Sequence, residues 1–195
     1  MTTADAIRAA ALRILEAEGP AAVSLRRVAA DVGITAMAIY HHFPSREALL
    51  HDVCDAEFEQ HAATLLANQR TAGGSIEARL TRNLELFLDF ALQRPHVYDF
   101  VFSQPREGAR RYPEDFKARR SPTANVLADL VAEGMRTGLF RKGDVWEWTM
   151  AIGAQTQGLI TLWRGGRFSL SEKEFRALCQ RSARRLIDGL KNPKR

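Results

Sequence analysis

A chain of 195 residues holds one mid-sized domain, or a small domain joined to a larger one. Its 46% hydrophobic and 26% charged residues exclude a disordered or fibrous chain. The net charge of +5 suits a polyanionic partner, no segment approaches the roughly 20 apolar residues of a membrane span, and the start of the chain lacks a basic cluster followed by an apolar leader, so a cytoplasmic protein with no membrane association is expected.

Apolar residues recur at helical spacing almost everywhere, and no segment alternates as a strand does. Ile7, Ala11, Ile14 and Leu15 line one face of a helix over 5–18, stopped by Gly19 and Pro20. Ser24 caps a short second helix with inner residues Leu25, Val28, Ala29 and Val32, and Gly33 ends it. A third short helix covers 36–42. Ser45 opens a fourth, carrying Leu49, Val53, Phe58, Ala62 and Leu65. After the break at 71–75 comes a helix with Leu80, Leu84, Phe87, Leu88 and Ala91, which stops before Pro95. Residues 103–123 are rich in proline and arginine with little periodicity and read mainly as loop with room for short helical turns. A helix carrying Val126, Leu127, Leu130, Val131 and Met135 ends at Gly138, and two long helices over 144–164 and 171–190 close the chain.

Few residues suggest catalysis or metal binding. Cys54 and Cys179 lie far apart among apolar residues and read as buried, reduced thiols. His41 and His42 are neighbours on one helix and point about 100° apart, which disfavours a shared ion. His51 and Asp55 form an i, i+4 pair without a third ligand. No convergent set of acids, bases or metal ligands marks a bundle enzyme, so no catalytic residue, metal or cofactor is expected.

The informative stretch is 24–43. Two short amphipathic helices joined by a turn of about three residues, with Gly33 at its start, have the layout of a helix-turn-helix. The helix over 5–18 supplies the apolar surface that such a pair cannot bury alone. The second helix of such a pair enters the major groove of DNA. Its outward residues are Thr35, Ala36, Met37, Tyr40, His41 and His42. Ala36 and Met37 suit thymine methyl groups, and the hydroxyls and imidazoles suit phosphates. Arg26, early on the preceding helix, and Arg46, in the first turn of the fourth, add cations. Charge alone does not single out this region. Arg8, Arg13, Arg26, Arg27 and Arg46 are balanced by Asp5, Glu16, Glu18, Asp31 and Glu47. A protein-docking module is the alternative use of the same face.

Residues 33–50 resemble the DNA-binding domain of the TetR family of bacterial regulators. That family shows a Gly-Val-Ser start, a Leu-Tyr-x-His/Tyr-Phe centre and a Lys-Glu-x-Leu-Leu finish. Here Gly33-Ile34-Thr35, Ile39-Tyr40-His41-His42-Phe43 and Arg46-Glu47-Ala48-Leu49-Leu50 stand in those places. The resemblance implies that Arg26, Thr35, Ala36, Met37, Tyr40, His41, His42 and Arg46 contact double-stranded DNA at a palindromic operator. It also implies a homodimer and a small-molecule effector held by the remaining helices. Trp146 to Trp163 resembles a C-terminal type with a Trp-His-Gly signature, with Gln157 before Gly158 in place of the histidine.

The expected fold is therefore all-α: a three-helix helix-turn-helix DNA-binding domain at 1–50, then a helical-bundle ligand-binding and dimerisation domain at 51–195. Aromatic residues are numerous in the second part, and most of them serve packing. Phe87, Phe90, Phe102, Met150, Gln155 and Trp163 are the candidate lining of an effector pocket. Small residues Ala151, Gly153, Ala154 and Gly158 suit close helix approach, within the core or across a subunit boundary. The expected behaviour is that of a repressor released from DNA by a small apolar or amphipathic molecule.

Overall fold

Most helices in this chain begin where a side-chain oxygen is at hand to take the unpaired N–H groups of a first turn. A computed structural model describes residues 2–71, 73–103 and 108–193, apart from the side chains of Ala36 and Thr71. Helix α1 (Thr3–Glu18) opens with a reciprocal cap between Thr2 and Asp5. Ser24 caps α2 (Leu25–Val32), and Thr35 caps α3 (Ala36–Tyr40). Helix α4 (Arg46–Thr71) takes Ser45 Oγ at the Ala48 N–H, 3.0 Å away. Then come α5 (Ile76–Gln93), the short α6 (Pro95–Tyr98), a π-helical turn (Asp99–Ser103) and α7 (Glu114–Lys117). The chain continues with α8 (Pro122–Arg136), α9 (Val145–Arg164), capped by Asp144, and α10 (Glu172–Leu190), capped reciprocally by Ser171 and Glu174. Among the described residues the only extended pairing is an isolated bridge between Phe140 and Lys191.

The all-α expectation holds, and the two closing helices fall where the periodicity put them. Two details differ. The third helix ends at Tyr40 instead of running to His42, because the Phe43 and His42 N–H groups both turn back to the Ile39 carbonyl and Phe43 swings inward. Residues 95–103 are helical, since Pro95 fits the first position of a helix, where no N–H is needed. Within the stretch read mainly as loop, α7 is a short helical turn of the expected kind around Glu114, and α8 starts at Pro122; positions 104–107 lie outside the described residues.

Two compact units form: Met1–Gln60 with Phe90–Ala109, and His61–Asp89 with Arg110–Arg195. Residues 1–50, read as the head, fall inside the first; its remainder comes from the stretch read as body. In the first unit, Ile7, Ala10, Ala11 and Leu15 of α1 are buried with Val28 and Ala29 of α2, Ile39 of α3 and Leu49 and Val53 of α4. Phe58, Phe90 and Tyr98 gather around Phe102, with ring centroids 5.1, 6.0 and 5.5 Å from it. Arg94 ties the same unit together, pairing with Glu16 of α1 at 2.6 Å and Glu57 of α4 at 2.7 Å while lying over the Phe90 ring.

In the second unit Ile76 and Leu80 of α5, Leu130 and Val131 of α8, Ile152 of α9 and Ile187 and Leu190 of α10 make one core with Phe140. Gly134 admits that phenylalanine, because a Cβ there would stand 2.1 Å from its ring. Cys179 is buried in α10, and burial pushes its thiol up to about 11, so it stays protonated and packs as an apolar group.

Candidate nucleic-acid interface

The turn between α2 and α3 depends on Gly33, which is left-handed at φ 77° and ψ 32° and closes its N–H onto the Ala29 and Ala30 carbonyls. A side chain there would disfavour that conformation. Ile34 donates to the Ala29 carbonyl at 3.0 Å, and the chain then re-enters a helix at Thr35, whose Oγ1 accepts the Ala38 N–H at 3.1 Å. That cap uses the oxygen and leaves the hydroxyl proton for an outside acceptor.

Ile39, fully buried, anchors α3 from below, so the opposite side of this short helix faces outward. Met37 is 70% exposed and Tyr40 53% exposed, while His41 and His42 are exposed in the turn that follows. Ala36 lies in α3, but its side chain is outside the described residues. Met37 and Tyr40 are the most exposed large apolar side chains among the described residues.

The cations sort themselves by partner. Arg8 binds Asp52 at 2.6 Å, Arg13 binds Asp31 at 2.6 Å, and Arg27 takes Glu18 in a two-pronged pair. The Glu18 carboxyl accordingly sits below the ordinary glutamate range, held there chiefly by its hydrogen bonds from Arg27. Arg46 turns back into the unit: its Nε donates to the Val23 carbonyl at 2.7 Å and its guanidinium also reaches the Pro20 carbonyl. Arg26 is different. Among the described residues of the head it is the arginine that is exposed and has no intramolecular partner. Of the eight residues read from the sequence as DNA contacts, Arg26, Thr35, Met37, Tyr40, His41 and His42 therefore present groups to solvent, and Arg46 is engaged inside the fold.

The six candidate pocket residues occupy distinct settings. Phe90 and Phe102 belong to the aromatic cluster of the first unit. In the second unit Phe87 lies 5.9 Å from the His61 ring, Trp163 stacks on Phe175 at 4.5 Å, and Gln155 donates to Ser182. Met150 is half-buried on α9. Among the described residues no group of three His, Cys, Asp or Glu side chains is placed to hold a metal, and no helix is long and apolar enough to cross a membrane.

Comparison with known proteins agrees with this geometry. The profile of bacterial regulatory proteins of the tetR family matches residues 7–53, and that of the tetracyclin repressor-like C-terminal domain matches residues 80–190. The chain belongs to the TetR family of bacterial transcriptional regulators. A TetR-family chain is a helix-turn-helix, DNA-binding regulator and not an enzyme, in keeping with the capped α2–turn–α3 unit. An uncharacterised HTH-type transcriptional regulator of Bacillus subtilis (strain 168), YuxN, is 28% identical over 105 residues, which span 54% of this chain and 35% of that protein. Among solved structures, a protein of unknown function from Rhodococcus sp. RHA1 superposes with a TM-score of 0.82 at 22% identity, covering 98% of this chain and 97% of the other. FadR of Bacillus subtilis, solved with stearoyl-CoA, gives 0.74 at 16% identity over 95% and 98%. At these identities the likeness is one of fold.

Two residues stand out that the sequence alone did not flag. Arg94 precedes Pro95 in an apparently featureless helix end, yet it holds α1 and α4 together. Asn83 interrupts the apolar face formed by Leu80, Leu84 and Phe87, and that interruption was its available signal.

Proposed function

We propose that this TetR-family protein is a repressor that binds a palindromic operator as a homodimer through α3 and is released by a small apolar or amphipathic effector held in the helical body. The observation that carries the DNA half of this reading is the exposed face of α3. Met37 and Tyr40 stand outward, Thr35 keeps a donor, and Arg26 is a cation with no internal counter-charge.

In a dimer, two such helices reach successive major grooves when they lie about 34–36 Å apart. A ligand that prefers a body conformation with another spacing lowers DNA affinity, by no more than its differential affinity for the two states. For the dimer contact the support is the outer stripe of α9, where Ala154, Gly158, Thr161 and Leu162 are exposed, small or apolar and uncharged. Selection from random-sequence DNA with the purified protein tests the reading. The expected consensus is a palindrome whose half-sites are centred about one helical turn apart. Failure to converge, or a single asymmetric site, contradicts it.

A further inference from the structure

Helix α10 sets the register of the second unit. Glu77, Glu85 and Asp89, in order along α5, meet Lys191, Gln180 and Arg176, so α5 and α10 run antiparallel. Gln155 and Trp163 of α9 meet Ser182 and Phe175, so α9 is antiparallel to α10 as well. Leu80 of α5 and Ile152 of α9 share one core cluster with Ile187. One turn further along both helices, Asn83 of α5 and Gln155 and Thr156 of α9 stand at the level of Ser182 and Ala183.

That level is polar and unsatisfied. Asn83 is 8% exposed, and neither its Nδ2 nor its Oδ1 has a hydrogen-bond partner. The Oε1 of Gln155 is buried without a partner, and so is the Nε of Arg79, one turn back on α5. The charge of Arg79 is already met by Glu133. Thr156, buried, donates its hydroxyl proton to the Ile152 carbonyl and leaves its oxygen as an acceptor. Buried polar groups are almost always paired, and a carboxamide with both ends unpaired is costly to keep. Apolar groups flank the layer: Leu80, Ile152 and Ile187 on one side, and Phe87 and Ile160 one turn on.

We propose that this layer recognises the polar head of the effector and selects a neutral head that both donates and accepts, such as a carboxamide or lactam, on an apolar body. The inference rests on the ligand-responsive reading above. A carboxamide gives its oxygen to Asn83 Nδ2 or Arg79 Nε, and its N–H groups to Asn83 Oδ1 and Gln155 Oε1. A carboxylate brings acceptors only. It leaves both of those oxygens unpaired beside a negative charge, in a layer whose one cation is already neutralised. A purely apolar ligand leaves all four groups unpaired.

Calorimetric titration of the full chain with octanamide and with octanoate separates these cases. Octanamide is expected to bind at least tenfold more tightly than octanoate. Asn83→Leu should weaken octanamide at least tenfold, and the ligand-free variant should melt no lower than the parent because two unpaired groups have been removed. Asn83→Asp, which exchanges the donor for an acceptor, gives the same test if the leucine variant does not fold. Octanoate binding as tightly as octanamide, no octanamide binding up to its solubility, or full affinity in both variants would overturn the proposal. Operator affinity measured with and without octanamide reads the regulatory reading separately. Octanamide that binds through Asn83 without weakening DNA binding would keep the head-group selectivity and remove the effector role.

Discussion

Tyr40 carries the sharpest test at the scale of single residues. Its side chain is exposed on α3 and supports nothing beneath it, since Ile39 and Phe43 do the anchoring. Tyr40→Ala should weaken operator binding by about 1–3 kcal/mol, as loss of a contact residue does, with the melting temperature unchanged; a DNA titration beside a thermal melt checks both. The residue scale also shows how far sequence reading reaches. Thr35, Met37 and Tyr40 were legible because a helix-turn-helix fixes which side of a five-residue helix faces out. Arg26 and Arg46 were not separable, because both are arginines at plausible positions. Only the fold shows that the Pro20 and Val23 carbonyls take up one and leave the other free.

Among elements, the clasp at the start of α6 matters most. Arg94 joins α1 and α4 through Glu16 and Glu57, and the Glu57 side chain is only 7% exposed. Arg94→Met leaves that carboxylate buried and unpaired. Breaking a buried pair costs about 3–5 kcal/mol, and less where one partner is partly wet, as Arg94 is, so a loss of about 2 kcal/mol is expected in denaturant unfolding. Adding Glu57→Gln should recover part of it. A second pair joins α5 to α8, where hydrogen bonding from Arg79 holds the Glu133 carboxyl below the ordinary glutamate range. A depressed folded-state pKa stabilises the protein above the unfolded value and ceases to do so as pH falls through the folded one. The melting temperature should therefore begin to fall below about pH 4.5, and Glu133→Gln should flatten part of that fall while lowering stability at pH 7. Helix positions were largely legible from caps and glycines, because those signals are local. Helix α6 and its π-helical turn were not, because tertiary packing on α1 outweighs what their short sequence signals.

At the scale of the whole molecule, the proposed function needs two copies. The exposed side of α9 has room for one: a Cβ added at Gly158 meets no atom within 4 Å. Gly158→Glu should therefore fold normally yet sediment as a monomer and bind operator weakly, and an undisturbed dimer would move the contact elsewhere. The order of elements was legible in outline, since the helix-turn-helix pattern lies near the N-terminus and long helices follow. The grouping of residues 90–109 with the head was not, because it depends on contacts between segments far apart in sequence. The most direct measurement is binding of the purified protein to the DNA flanking its own gene, at two salt concentrations and against unrelated competitor DNA. Binding that survives competitor and weakens steeply with salt is the predicted result. Binding that competitor abolishes at both salt concentrations would contradict a sequence-specific regulator of that DNA.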